Sequence, residues 1–309
     1  MGGDRAPSAV LQGVDEVLPK LGEDESVVLF GPEEVVSEAV ADWRPVHPVG
    51  HTATTQVIGM ADSPTRAFQQ KPDSSIAQGF AALKAGEIDI FISAGNTGAI
   101  LVGALYSIGA IEGVQRPAIA TLVPKEDGGT GLLLDIGANA DVKQDALVQF
   151  GLLGSLYLEH VIGIERPRVS LLSLGHEPEK GNRVTQAAYP LMEEHPDIRF
   201  VGNIEGYDLF GDTADVVVCD GFTGNVVLKV SEGIFQVMRR RGYRDSYLSR
   251  FDYESYGGTP VLGVRRPVII GHGVSSPRAF SQMILQAREV VSSRLTDKIK
   301  GAFHTKTTL

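Results

Sequence analysis

At 309 residues, with 43% hydrophobic and 21% charged residues, the chain is long enough to bury a sizeable core and too apolar to be disordered in bulk. Its formal charge of −10, from 28 Lys and Arg against 38 Asp and Glu, argues against a general nucleic-acid binder, so an anionic partner must find a local basic patch. The single cysteine, Cys219, excludes an intramolecular disulfide, and no apolar run reaches the roughly 20 residues needed to cross a bilayer. With no leader-like segment at the start, a reducing, cytoplasmic setting is expected.

Helical spacing opens the chain in "PSAVLQGVDEVLPKL", followed by the strand-like run "SVVLFG" and a second helical segment, "PEEVVSEAVADW". "SSIAQGFAALKAG" then leads into "EIDIFISAG", and two further apolar runs, "AIATLVP" and "GLLLDIGA", precede the long helical pattern "QDALVQFGLLGSLYLEHVIG". "RVSLLSLG", "RFVGNI" and "ADVVVCDG" are strands, with "RVTQAAYPLMEEH" a helix between the first two and "VVLKVSEGIFQVM" a helix leaving the third. An Arg- and Tyr-rich stretch, "MRRRGYRDSYLSRFDYESYGG", interrupts the alternation before the last strand, "PVIIGHG", and the helical "SPRAFSQMILQAREVVSSRLTDKIKGAF". Most of the strand-like runs are apolar on both faces, as parallel strands covered by helices are. The expectation is a three-layer α/β/α fold with a mostly parallel sheet, forming one α/β domain over residues 1–309 with a helical excursion around 232–256.

In such folds ligands sit at the carboxyl ends of strands. Two turns at such ends nearly rhyme: "SAGNTGA", with Ser93, Gly95, Asn96, Thr97 and Gly98, and "DGFTGN", with Asp220, Thr223, Gly224 and Asn225. A glycine-rich turn into a helix can hold an anion on unpaired N–H groups, and Asn and Thr add side-chain donors. The same residue types cap helices, so for one turn alone both readings stand. Other strand ends add Asp135, Asn139 and Asp141 in "LLLDIGANAD", then His176, Glu177, Lys180 and Asn182 in "LLSLGHEPEKGN", then His272, Ser275 and Ser276 in "VIIGHGVSSPRA". Five such turns on one sheet edge point to a polar site.

Several chemistries are disfavoured. There is no G-x-x-x-x-G-K-[ST] phosphate loop, no G-x-S-x-G elbow and no H-E-x-x-H pair, and Pro178 after Glu177 opposes a helical metal site. Cys219, inside "VVVCDG", reads as a buried structural thiol. "GHGVSS" is a weak match to a dinucleotide fingerprint, ending in Ser276 near the chain's end. No metal and no cofactor are expected.

The ordered set "MGGDRAP", "MADSPTRAF", "SAGNTGA", "RPAIATLVP", "LLLDIGANAD", "EKGN", "VGNIEGYDL", "DVVVCDGFTGNVVLK", "FDYESYGGTPVLGV" and "VIIGHGVSS" resembles the bacterial phosphate acyltransferase (PlsX) family along essentially the whole chain. The resemblance implies conversion of acyl-[acyl carrier protein] and inorganic phosphate to acyl phosphate and free carrier protein, supplying phospholipid synthesis through a membrane glycerol-3-phosphate acyltransferase. It also implies a fold similar to isocitrate and isopropylmalate dehydrogenases and phosphotransacetylases, and a homodimer. The family pattern has a short strand of the type "IAVDA" before "MGGD", which leaves the natural start open at Met1. It also has a longer helix-loop-helix excursion where only "RRRGYRDSYLSR" separates Met238 from Phe251 here. That excursion is implicated in carrier-protein and membrane-surface contact, so a peripheral place at the inner membrane is the expectation this sequence weakens.

For such a reaction, Asn96, Thr97, Gly98 and Asn225 are expected in the phosphate and thioester pocket, with Lys180 neutralising charge and Asn182 and His272 orienting the phosphate. Asp135 and Asp220 are expected to orient these donors or capture a proton. Ser93, Gly95, Asn139, Thr223 and Gly224 complete the expected substrate contacts. Arg239, Arg240, Arg241 and Arg244, with Arg250, form the densest basic cluster and the expected docking patch for an acidic carrier protein. The competing readings are a phosphotransacetylase acting on acyl-CoA and a noncatalytic metabolite-binding protein on the same fold.

Overall fold

The computed structural model describes residues 2–43, 47–252, 254 and 256–304. Met1 lies outside them, as do Tyr253 and Ser255 within the expected helical excursion. In chain order the first elements are α1 (Ser8–Val17), β1 (Val27–Gly31), α2 (Glu33–Trp43), β2 (Val49–Ala53), α3 (Pro64–Gln70), α4 (Ser75–Ala85), β3 (Phe91–Ser93) and α5 (Thr97–Val102). Next come β4 (Ala118–Pro124), β5 (Thr130–Leu134), α6 (Gln144–Tyr157), β6 (Arg168–Leu172), α7 (Arg183–Glu193), β7 (Arg199–Ile204), β8 (Val216–Val218) and α8 (Gly221–Arg240). The chain closes with β9 (Thr259–Leu262), β10 (Val268–Ile270), α9 (Pro277–Ser292) and α10 (Leu295–His304). Where the sequence leads to an expectation of one domain, these elements gather into two compact units, one holding Met1–Gly109, Tyr253–Gly258 and Val264–Ser292, the other Ala110–Asp252, Thr259–Gly263 and Ser293–Leu309.

In the first unit β1 pairs in parallel with β2, Val27 opposite Val49, and β3 with β10, Phe91 opposite Val268. Helices α1 and α9 pack closely because Gly13 has no side chain: a Cβ there would stand 2.5 Å from that of Phe280. Ala9, Ala94, Ile269, Phe280, Met283 and Ala287 form one core cluster. The single helical run expected after "GHGVSS" is two helices, broken at Arg294, whose φ of +53° no helix continues.

In the second unit the strands lie in the order β9-β4-β5-β8-β6-β7. The pairs β5–β8, β8–β6 and β6–β7 are parallel, while β4 runs antiparallel to both β5 and β9. The antiparallel β4–β5 pair has a simple cause: only Lys125–Gly129 join the strands, too short a link for the crossover a parallel pair requires. Leu132, Leu133, Leu134, Val216, Val217 and Val218 are all buried, as expected for strands covered on both faces. Helix α6 seats tightly on them, since a Cβ at Gly154 would stand 2.6 Å from Val216 Cγ1. The result is a mixed α/β fold with a mostly parallel sheet, as the sequence leads one to expect.

Helix α8 carries exposed Phe222, Val226, Val230 and Ile234 four residues apart, hence on one face. After Arg240 the chain turns, with Arg244 Nη1 donating to the Arg239 and Tyr243 carbonyls at 2.8 and 3.0 Å. A short helical turn, Leu248–Phe251, then packs Phe251 edge-on to Phe210 with ring centres 5.0 Å apart. Arg250 donates to the carbonyls of Lys125 and Gly129, holding the segment on the β4–β5 hairpin. Among the described residues no helix is long and apolar enough to cross a membrane.

At the amino-terminal edge of the parallel strands, four charges lock together. Lys125 Nζ donates to Asp215 Oδ1 at 2.6 Å and to Asp212 Oδ1 at 3.3 Å, while Arg168 donates through Nε and Nη2 to both Asp215 oxygens at 3.0 and 2.9 Å. The Lys125 side chain is only 4% exposed. Burial opposes ionisation of Asp215, but the hydrogen bonds from Arg168 and Lys125 outweigh it and hold the carboxyl well below the usual aspartate range. Asp215→Asn removes one partner of a buried pair, and a loss of about 3–5 kcal/mol is expected in urea unfolding at pH 7. Because the folded-state pKa is depressed, this contribution is whole at neutral pH and fades as pH falls below about 4. The wild-type and Asp215→Asn unfolding midpoints should therefore converge in acid; a constant gap would assign the loss to packing instead.

Candidate functional site

In the second unit, the carboxyl ends of β5, β6 and β8 carry the expected polar turns. Asp135 follows β5 and is wholly buried. Its Oδ1 accepts from the N–H groups of Ile119, Gly137 and Ala138 at 3.0, 3.2 and 3.0 Å, and its Oδ2 from Asn139 N and Nδ2 at 2.7 and 2.9 Å. Both oxygens are thus engaged by the protein's own donors. Asn139 Nδ2 also donates to Pro117 O at 2.8 Å, and its carbonyl accepts from Gly221 N at 2.7 Å, joining this loop to the start of α8.

The "DGFTGN" glycines serve that junction. A Cβ at Gly221 would stand 2.6 Å from Asn139 O, and one at Gly224 would collide with Asp135 O. Asp220 caps α8, accepting from Thr223 N and Thr223 Oγ1 at 2.8 Å each. Asn225, exposed one residue beyond Gly224, donates through Nδ2 to Ile136 O at 3.1 Å.

Beside it, Asn182 caps α7, its Oδ1 accepting from Val184 N and Thr185 N at 2.9 Å each and from Thr185 Oγ1 at 3.1 Å. A cavity of about 240 Å³ opens at these two helix starts, with Asp141, Asn182, Thr185, Cys219, Asp220 and Thr223 among its lining residues. The structure therefore brings Asn182, Asp220 and Thr223 to one cavity. Lys180 is exposed and is not one of the described lining residues. His176 turns elsewhere, its Nε2 3.2 Å from Tyr207 Oη and 3.5 Å from Asp208 Oδ2. Thr185, Ser173, Leu172 and Leu174 also line the cavity without having been singled out in the sequence. The capping signal at Asn182, three residues ahead of Thr185, is the one trace of them there.

The first unit holds the other set. Ser93 Oγ accepts from Gly95 N at 3.2 Å, and Ser93 O accepts from Gly271 N at 2.9 Å. Asn96 is buried and caps α5, its Oδ1 accepting from Ala99 N at 3.0 Å. Its Nδ2 reaches the carbonyls of Gly59, Met60 and Asp62 at 3.1, 3.3 and 3.0 Å, fastening the "MADSPTRAF" loop. A Cβ at Gly98 would run into Pro64 of α3, so this glycine is required by helix packing. Thr97 is exposed at the first position of α5. The opening "GGD" joins this group, with Asp4 N donating to Gly273 O at 2.7 Å. His272 is exposed on the same turn, its Nδ1 3.4 Å from Val274 N.

Cys219 is 4% exposed, and burial, reinforced by Asp220 and Asp135, pushes its thiol well above the usual cysteine range. It is a structural thiol, as its sequence setting suggests. Of the basic cluster, Arg239, Arg240, Arg241 and Arg244 are exposed at the end of α8, where cations also complement the helix dipole. Arg239 approaches Asp252 at 3.5 Å. Arg250 is directed into the hairpin instead. Among the described residues there is no group of three or more His, Cys, Asp or Glu placed to hold a metal ion.

A family model described as "Fatty acid synthesis protein" matches residues 1–241. The chain is 41% identical to a phosphate acyltransferase of Desulforudis audaxviator across 97% of this chain and 93% of that one, and 40% identical to one of Listeria innocua across 97% and 94%. Among solved structures, it is similar to a branched-chain phosphotransacylase from Enterococcus faecalis, with a TM-score of 0.60 at 15% identity over 94% of this chain and 96% of that one. A phosphotransacetylase from Streptococcus pyogenes gives 0.59 at 16% identity over 93% and 99%. These structural likenesses concern the fold, whereas the sequence relation extends over 97% of the chain: the chain belongs to the phosphate acyltransferase family.

Proposed function

We propose that the chain transfers an acyl group from the thioester of an acyl carrier protein to inorganic phosphate, releasing acyl phosphate and the free carrier thiol. The observation that carries this reading is the 41% identity over 97% of the chain to a phosphate acyltransferase. A phosphate oxygen attacks the thioester carbonyl carbon, the C–S bond breaks, and the thiolate takes up a proton. A thiol with a pKa near 8.5 leaves without a strong general acid, so the protein's task is to hold phosphate and to stabilise charge growing on the carbonyl oxygen. The buried, proton-retaining Cys219 suits direct attack rather than an acyl-enzyme.

The observed bonds divide the expected site residues into two groups. Asp135, Asn139, Asn182, Asp220 and Asn96 hold turns in place, and Gly98 and Gly224 permit close packing. Thr97, Lys180, Asn225 and His272 are exposed at strand-end turns and are the groups offered to substrate. In cells the product would pass to a membrane glycerol-3-phosphate acyltransferase for phospholipid synthesis, with this protein working from the cytoplasm.

Incubation with palmitoyl-carrier protein and phosphate should yield acyl phosphate, trapped as hydroxamate by hydroxylamine. Faster turnover of palmitoyl-CoA than of the carrier-protein thioester would favour the phosphotransacetylase reading, and binding without turnover the noncatalytic one. The carrier is acidic, so docking onto a chain of charge −10 must be local. Arg240→Glu with Arg241→Glu should raise KM for the acyl carrier protein while leaving KM for phosphate near its wild-type value; equal changes would remove the patch from the docking surface. The exposed apolar face of α8 is proposed as the meeting face of two copies of the chain, since its four-residue spacing matches a helix packed against its own counterpart. The wild type should then sediment as a dimer, and Val230→Glu with Ile234→Glu as a folded monomer, in sedimentation velocity.

A further inference from the structure

Asn96 reaches the carbonyls of Gly59, Met60 and Asp62 only while residues 57–62 hold one shape, and that shape is set from the far end of α3. Lys71, the residue after α3, sends its Nζ back to the loop that leads into the helix, donating to Val57 O at 2.7 Å and to Asp62 Oδ2 at 2.6 Å. The same Asp62 oxygen accepts from Gly59 N at 2.8 Å. The donors from Lys71 and Gly59 hold the Asp62 carboxyl below the usual aspartate range. One ammonium thus joins the start of the loop to its end and closes residues 57–71 into a clasp.

The neck of this clasp is tied separately. Thr55 donates through N and Oγ1 to Asp73 Oδ2, Gln56 N donates to Asp73 O at 3.2 Å, and Asp73 N donates to Gln56 Oε1 at 2.9 Å. Ile58 is buried and anchors the loop from within. Removal of the Lys71 ammonium therefore leaves the clasp attached and releases its shape alone.

The clasp borders both first-unit groups offered to substrate. Its carbonyls fix the Asn96 amide plane, whose Oδ1 caps α5 one residue before the exposed Thr97. Met60 lies against the turn that carries His272, since a Cβ at Gly273 would stand 3.1 Å from Met60 Cε. The Lys71 and Asp62 side chains are 35% and 37% exposed, so their ion pair contributes little to stability. Its consequence is geometric.

We propose that Lys71 is a positioning residue for the acyl transfer, holding residues 57–62 in the shape that orients Asn96 and, through it, Thr97. The proposal rests on the phosphate acyltransferase reading and adds to it a residue that acts on substrate only through others.

The first measurement is made on the intact chain without substrate. Solvent exchange of the Asn96 side-chain amide protons, read by NMR, should be at least about tenfold faster in Lys71→Met than in the wild type, and the Thr97 backbone amide signal should move. Lys71→Arg, which keeps donors for both oxygens, should restore both signals. Kinetics follow with palmitoyl-carrier protein and phosphate. Lys71→Met should lower kcat at least about tenfold while its thermal midpoint stays near that of the wild type, and Lys71→Arg should recover most of the rate. Lys71→Met combined with Thr97→Val should lose less than the product of the two single losses. Unchanged Asn96 exchange in Lys71→Met, no rescue by Lys71→Arg, a full product in the double variant, or failure of Lys71→Met to fold would overturn the assignment. Absence of acyl phosphate from wild-type reactions defeats the proposed reaction and with it the kinetic role of Lys71, while the Asn96 exchange by itself decides whether Lys71 sets the loop.

Discussion

The carboxylate of Asp135 is the interaction on which the rest of the second unit's site depends. Buried with no solvent around it, it gathers N–H groups from β4, from its own loop and from the side chain of Asn139. A lone charge in that position would be costly to desolvate, and five donors offset the cost. The loop it organises presents the Asn139 carbonyl to Gly221 and lets Gly224 rest on the Asp135 carbonyl, so α8 begins at a set height above β5. Asp220, Thr223 and Asn225 take their positions from that seating. An analogous role falls to Asn96 in the first unit, where one amide holds three carbonyls of the preceding loop and caps the following helix.

Much of the fold is legible in the sequence because strands buried on both faces carry an unbroken apolar run. "GLLLDIGA" and "ADVVVCDG" are such runs, and both are interior strands. β2, "VGHTA", and β9, "TPVL", are not legible in the same way, being short and mixed in polarity, their strand state set by neighbours rather than by local pattern. Strand direction is written less plainly than strand existence. The β4–β5 reversal is visible only in the brevity of Lys125–Gly129, since the apolar runs on either side would serve a parallel pair equally well.

The site is legible at the level of turns and much less so at the level of atoms. Asn, Asp and Thr at a strand end present the same donors and acceptors whether they meet a ligand or the helix that follows. Asn182 and Asp220 turn out to engage their oxygens with the N–H groups of α7 and α8, and Gly98 answers to Pro64, a residue 34 positions earlier that no local pattern connects to it. The cavity escapes sequence reading for a related reason. Its lining is assembled from three strand ends whose side chains are brought together only by the sheet order β5-β8-β6.

The four-charge lock of Lys125, Arg168, Asp212 and Asp215 stands at the opposite ends of the same strands. That separation divides one sheet into an edge held by buried ion pairs and an edge that carries the polar turns and the cavity. Divergent descendants of such a chain can remodel the turns after β5, β6 and β8 and take up new acyl donors, while the strand register is held from the other end. The sheet thus provides inherited robustness, and the turns the room for a lineage to explore.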